Sequence, residues 1–480
     1  MISRAALSRG AQLAARRLAS SKLVQRGYAA AASSAPSSFT YETTDVAGVK
    51  VATRDSHGPT TKLAVVAKAG TRYQPAPGLT VGLEEFAFKN TQKRSALRLQ
   101  REAELLGGQL VAYHTREALV LEARFLREDI PYFTELLAET VSQTKFTTYE
   151  YQEDVDRVIH IKQAKVQGDA AALALDSAHS VAFHHGLGAS LYPSPSTPLK
   201  GYLDENSIAS FSEAAYAKSN IALVGDGATS SALSKWTEQF FKNVPATPSG
   251  SMTLNSKATT YYGGEQRTSH TGGNSIVMAF PGSSFGNFKP EIAVLASLLG
   301  GQSSIKWAPG FTLLSKAAAS APGATATATN LAYSDAGLLT IQVNGSASAV
   351  RTASQEAVKA LKSIAEGGVS KEDLTKAVAR ARFDALVSSE SGISTILAAG
   401  SGIVHSGKPF QVAETAKSIE GVTAEQLKKV CYPLSSYYIE TVTDKRILQA
   451  AKALLEGKAS VAAVGDLHAL PYAEELGLTV

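Results

Sequence analysis

Three short apolar segments occur twice in this chain, in the same order, and that recurrence restricts it to a duplicated α/β architecture. Asn220–Asp226 (NIALVGD) and Ser460–Asp466 (SVAAVGD) share the pattern x-[IV]-A-x-V-G-D at an offset of 240. Leu63–Gly70 (LAVVAKAG) matches Ser275–Gly282 (SIVMAFPG) at an offset of 212, and Ala118–Phe125 (ALVLEARF) matches Ala336–Val343 (AGLLTIQV) at 218. Each run reads as a strand from its aliphatic and β-branched content. The unequal offsets put insertions between the matched segments, which describes one domain copied once and not a solenoid of equal repeats.

Between the copies, Val244–Ser251 is rich in Pro, Ser and Gly and reads as an exposed connector. The first copy supplies further elements: strands over Val49–Thr53 and Lys62–Lys68, a turn at Tyr73–Gly78, a helix over Leu79–Lys89, and a helix from an Asp129 N-cap to about Val141. We therefore expect an N-terminal domain over 29–245, a linker over 246–258 and a C-terminal domain over 259–480. In each, a mixed, mainly antiparallel sheet should pack with helices.

Charge is concentrated at one end. Arg4, Arg9, Arg16, Arg17, Lys22 and Arg26 stand in Met1–Tyr28 without an Asp or Glu, so these six cations exceed the formal net charge of +5 and the rest of the chain carries −1. A body that close to neutral lacks the basic face that nucleic-acid binding by counterion release requires. The segment 1–28 combines spaced arginines, serines and apolar positions as a mitochondrial presequence does, with cleavage expected near Tyr28. Cys431 is the only cysteine, which excludes an intramolecular disulfide and a cysteine-built zinc or iron–sulfur centre. No apolar run reaches the roughly 18–20 residues of a membrane-spanning helix.

Several chemistry-bearing patterns have simpler readings. Gly282–Gly286 satisfies G-x-S-x-G, but Asn287–Pro290 postpones the helix that should follow a nucleophilic Ser284 at once, so a plain loop is expected. His184 and His185 are adjacent and cannot share a helical face, with only His179 near in sequence; they read as a helix-end pair. His160 reads as a packed or solvent-facing side chain. The glycine-rich run Leu299–Phe311 lacks the ending of a phosphate cradle, so no nucleotide or other cofactor is expected.

The run Gly78–Thr91 (GLTVGLEEFAFKNT), the duplicated halves and the closing AAVGDLHALPY that ends at Tyr472 resemble the pitrilysin and mitochondrial processing peptidase family of zinc peptidases. Active members carry H-x-x-E-H just before the stretch that reads Phe86–Thr91 here, and a further glutamate ligand on a later helix. Laid on this chain, the resemblance puts Val81 at the first histidine, Glu84 at the general base, Glu85 at the second histidine and Lys162 at the distant glutamate. A catalytic zinc needs about three donors and an open position. Val81 has no donor and Lys162 brings an ammonium, so neither a bound metal nor peptidase activity is expected, and Lys162 should pair with Glu84 or Glu85. Among metal-deficient, matrix-targeted members, the likeness is to the core subunits of the respiratory ubiquinol–cytochrome c reductase, complex III. It implies a non-catalytic structural chain needed for assembly and stability, peripheral on the matrix side of the inner membrane. Its implied partners are core protein 1, as a heterodimer, and the membrane subunits, with two copies in a dimeric complex. The alternative within the family is the non-catalytic α subunit of the processing peptidase, which handles presequences through a glycine-rich loop. Here that loop carries the bulkier Gln302, Ile305, Lys306 and Trp307.

Overall fold

The computed structural model describes residues 40–249, 252–255, 257–302, 310–365, 369–390, 393–420 and 458–480. The expected presequence and cleavage position, Ile305, Lys306 and Trp307 of the glycine-rich run, and Cys431 lie outside the described residues.

The first half carries β1 (Glu42–Val46), β2 (Val49–Arg54), β3 (Thr60–Ala67), β4 (Gln109–His114), β5 (Leu119–Leu126) and β6 (Ile221–Asp226), ordered β1-β2-β6-β3-β5-β4 in one sheet. The second carries β7 (Gly264–Ser269), β8 (Asn274–Pro281), β9 (Thr325–Ala332), β10 (Gly337–Gly345) and β11 (Ser460–Gly465), ordered β7-β11-β8-β10-β9. The β2–β6 and β7–β11 pairs are parallel and every other pair is antiparallel. Apart from β1, the two orders are the same. The three repeats seen in the sequence are the topological equivalents β6/β11, β3/β8 and β5/β10, all of them inner strands.

Those strands are apolar over most of their length, with Glu122 and Arg124 in β5 and Thr340 and Gln342 in β10 as interruptions, because both of their faces are covered. One face of the first sheet, with Val49, Val51, Leu63, Val65, Leu119 and Leu121, packs under helices that include α1 (Leu79–Glu85) and α2 (Ile130–Gln143), the latter through Phe133, Leu137 and Val141. One face of the second sheet packs on α5 (Pro290–Leu299) and α6 (Ala347–Ala365). The remaining faces are closed by exchange. α4 (Ala170–Phe183), from the first half, lays Ala170, Ala174, Ala178 and Ala182 on Val277, Ala279, Ala462 and Val464 of the second sheet. α7 (Ile393–Ser406), from the second half, lays Ile396, Ala399 and Ile403 on Ala64, Val66, Ala222 and Val224 of the first. The i, i+4 spacing of small residues along α4 gives a flat stripe that approaches a sheet closely.

The close approach of α7 has a measurable consequence. A Cβ on Gly400 would collide with the Val66 side chain. Alanine ordinarily stabilises a helix interior by about 1 kcal/mol over glycine, but forcing a methyl into a filled contact costs about 1–3 kcal/mol. Gly400→Ala is therefore expected to lower the urea midpoint, a reversal of the propensity rule that equilibrium denaturation will register.

Two local expectations are corrected. α1 ends at Glu85, short of Lys89, because the chain turns over Phe86–Lys89 with Phe88 in the left-handed region (φ 61°). Asp129 does precede α2, but its side chain caps nothing; Arg127–Asp129 forms a 3-10 turn and Pro131 lies in the first turn of the helix.

Candidate functional site

α1 presents Glu84 and Glu85 toward α3 (Asp156–Gln167), and Lys162 on α3 reaches both. Its Nζ donates to Glu84 Oε1 at 2.7 Å and to Glu85 Oε1. Glu84 is 7% exposed as a side chain, Glu85 18% and Lys162 27%. Burial pushes the Glu84 carboxyl up, yet the hydrogen bonds and charges of His114 and Lys162 outweigh it and hold the group below the usual carboxylate range. For Lys162, burial pulls the ammonium down, and the two carboxylates more than reverse this, holding it well above the usual lysine range.

His114, at the end of β4, joins the site although no sequence pattern singles it out. Its Nδ1 bonds Glu84 Oε2 and its Nε2 meets the carbonyl of Leu191 at 3.0 Å. Tyr192 completes the surroundings, edge-on to the His114 ring at 5.2 Å, with Lys162 Nζ 5.9 Å from its centroid. Burial is the main cause that raises the Tyr192 hydroxyl above its ordinary value. Nothing in the period-2 pattern of Gln109–His114 marks the last residue as a partner of α1; only the antiparallel pairing of β4 with β5 brings it there.

Val81, one turn before Glu84 and Glu85 on α1, is fully buried in the apolar core of the first half. At this corner, then, stand an aliphatic side chain without a donor and two carboxylates that share one ammonium. That set does not fit a zinc ion, which requires several donors free of competing cations and one open position.

The other candidate residues fall where simpler chemistry uses them. Ser284 Oγ accepts from the Asn287 amide at 3.0 Å and α5 begins only at Pro290, so the serine shapes a loop. His184 ends α4 at φ 56° and stacks on Tyr262 at 4.3 Å. His160 is 51% exposed and bonds Gln163 at 2.9 Å on its own helix. His179 is buried on α4, bonded to the Leu175 carbonyl and to the Tyr333 hydroxyl at 2.8 Å; burial chiefly, helped by the Arg116 charge, holds it well below the usual imidazole value. His405 on α7 repeats the arrangement, with the Ser401 carbonyl at 2.8 Å and the Tyr73 hydroxyl at 2.7 Å. The helices exchanged between halves thus each carry a histidine, His179 buried and His405 half-buried, tied to its own i−4 carbonyl and to a tyrosine of the sheet half that receives the helix.

Beside His405, Arg72 joins both halves. Its guanidinium donates to Glu117 at 2.6 Å, to Asp335 at 2.7 and 2.6 Å and to the Lys257 carbonyl at 3.1 Å. Ser334 donates to Glu117 through both its amide, at 2.8 Å, and its hydroxyl, at 2.6 Å. Glu117 and Asp335 occupy equivalent positions of the β4–β5 and β9–β10 turns at the same offset of 218, so one arginine clamps the two copies of one turn.

Two halves with one strand order, each a sheet covered by helices, together with a Lys–Glu–His cluster between α1 and α3, define a class, that of the two-halved peptidase fold. The family model described as Insulinase (Peptidase family M16) matches residues 50–194, and that described as Peptidase M16 inactive domain matches 202–381. The chain belongs to peptidase family M16. It is 62% identical to the mitochondrial cytochrome b-c1 complex subunit 2 of Neurospora crassa over 100% of both chains. The protein of that name in Cryptococcus neoformans is 39% identical over 91% of this chain and 94% of its own, and that of Mus musculus 26% over 89% and 90%. Among the described residues, no helix is long and apolar enough to cross a membrane.

Proposed function

We propose that this chain serves as the second core subunit of the mitochondrial cytochrome b-c1 complex, a non-catalytic body needed to assemble and stabilise the complex. The observation that carries the reading is full-length identity of 62% to a protein of that name. The corner chemistry supports it. Val81, Glu84, Glu85 and Lys162 stand where the family's zinc ligands and general base belong, and with Lys162 on both carboxylates no metal-bound water is available for Glu84 to deprotonate. Removal of the zinc chemistry leaves a body whose halves exchange helices and share the Arg72 clamp, which suits a part that must hold its neighbours in register.

In this reading the segment 1–28 directs import and is removed near Tyr28. The mature halves span 29–245 and 259–480, joined by 246–258. The chain pairs with core protein 1 on the matrix face of the inner membrane, and two copies enter the dimeric complex. Affinity purification of the tagged chain from mitochondria is expected to bring down the haem-bearing subunits, and deletion of the gene to reduce the amount of assembled complex on native gels. Elemental analysis is expected to find far less than one zinc per chain. Normal complex abundance after deletion would overturn the reading, and so would chelator-sensitive presequence cleavage when the chain is mixed with a catalytic partner.

A further inference from the structure

The two sheets differ at one edge. In the first, β2 carries β1 on its outer side, the two joined by a turn in which Ala47 (φ 54°) and Gly48 (φ 82°) are left-handed. β7 is the counterpart of β2, since each runs parallel to the last strand of its half, but no described strand pairs with its outer side. Five of the six residues of β2 are buried and none of the six in β7. The cause lies in how the chain arrives. Instead of turning back in a hairpin it enters β7 from the end of α4, where the Tyr262 amide donates to the Ala182 carbonyl at 2.9 Å and the Tyr261 hydroxyl to the Lys458 carbonyl at 3.0 Å. The opposite edge of this sheet is partly closed by the chain itself: the Ala328 amide of β9 donates to the Gly300 carbonyl at 2.9 Å.

The Gly264 and His270 amides donate to the Ala459 and Gly465 carbonyls at 3.0 and 3.1 Å, so the even-numbered residues face β11. By the period of two, the amides and carbonyls of Glu265, Arg267 and Ser269 point outward, and among the described residues no backbone hydrogen bond reaches them. Charged side chains commonly guard such an edge, but here they are turned to the C-terminal segment. Arg267 donates to the carbonyls of Leu467 at 2.7 Å and of Leu470 and Pro471 at 3.0 Å, and Glu265 accepts from the Ala473 amide at 3.3 Å. The edge is thus both open and fixed in place. Beside it, between β7, α3 and α4, lies a cavity of about 320 Å³ whose walls include Gln163, Gln167, Ser177, Ser190, Gln266 and Thr268.

We propose that the outer edge of β7 receives an extended segment of another polypeptide, which completes a six-stranded second sheet as β1 completes the first. The segment runs antiparallel to β7, as β1 does to β2. Main-chain bonds to Glu265, Arg267 and Ser269 hold it, and alternate side chains enter the cavity, whose amide and hydroxyl walls suit Asn, Gln, Ser or Thr. The inference rests on the core-subunit reading only for the source of the segment, a further subunit of the complex.

The test compares residue-resolved amide exchange in the purified complex and in the isolated full chain. In the isolated chain Gln266 and Thr268 are expected to be protected while Glu265, Arg267 and Ser269 exchange freely; in the complex these three should slow by at least about tenfold. A photoreactive residue replacing Gln266 should cross-link, within the purified complex, to one segment of a different subunit. Ser269→Pro removes only an outward amide, which an edge strand tolerates; it should leave the urea midpoint unchanged and lower the added protection by about fivefold, the worth of one hydrogen bond. Equal exchange in chain and complex would overturn the proposal, and so would protection indifferent to Ser269→Pro or a cross-link to a second copy of this chain. The first comparison needs no variant, so a Ser269→Pro chain that fails to fold does not remove the test. Co-purification with the haem subunits does not depend on this edge, which keeps failure here distinct from failure of the proposed function.

Discussion

Lys162→Met is expected to destabilise the first half by about 2–3 kcal/mol. Breaking a buried ion pair by removing one partner costs about 3–5 kcal/mol because it strands the other charge; the 27% exposure of Lys162 lets water reach the carboxylates and places the loss below that range. Two carboxylates are stranded, not one, with only His114 left to face them. The pH dependence distinguishes this from a simple packing defect. The Glu84 carboxyl is held below its unfolded value, near 4.3, so the stability it contributes is complete above about pH 4.3 and fades as the pH falls through the folded value. Lys162 is held above its unfolded value of about 10.4, so its share is complete below that pH and fades only as the pH rises through the folded value. Wild type and variant should therefore differ by a constant amount from about pH 5 to 10. Below that window the variant should unfold at a higher pH than wild type, because without the ammonium the Glu84 carboxyl titrates closer to neutral. Urea midpoints measured across pH 3–9 check both parts; equal acid limbs would show that Lys162 does not govern Glu84.

How much of this corner is legible beforehand depends on the direction in which each contact runs. Glu84, Glu85 and Val81 lie on one helix, and Lys162 enters through family spacing, so their meeting could be read from order alone. His114 could not: its role comes from strand pairing, and a polar residue at the end of an alternating strand usually faces solvent. Likewise the repeats located the inner strands β3, β5 and β6 and their copies, because burial on both faces writes a largely apolar run. They did not reveal that α4 and α7 change halves. An alanine stripe such as Ala170–Ala174–Ala178–Ala182 specifies close packing against a flat surface without stating which of two similar sheets provides it. The boundary drawn at the Pro-rich connector follows the chain, whereas packing crosses it in both directions.

The clamp at Arg72 gives that crossing an energetic test. Arg72→Met is expected to cost about 3–5 kcal/mol, since its side chain is 6% exposed and it leaves Glu117, 5% exposed, with only the Ser334 donors. Burial disfavours the charged guanidinium, but Asp335 and Glu117 more than compensate, so the arginine remains firmly cationic. On the other side, burial raises the Asp335 carboxyl, and Arg72 with Thr259 brings it below its ordinary value. If the loss is mainly a stranded buried charge and not missing packing, then Glu117→Gln added to Arg72→Met should recover about 1–3 kcal/mol, an interaction energy that a double-mutant cycle isolates. The same cycle with Asp335→Asn should recover less, because Asp335 is 37% exposed and water can solvate it. Exchange at the β9–β10 turn, in the second half, should rise in Arg72→Met although the substituted residue belongs to the first. An increase confined to the first half, or a cycle without coupling, would mean that the halves are held by the exchanged helices alone and that the arginine spanning the two equivalent turns contributes no more than its own burial.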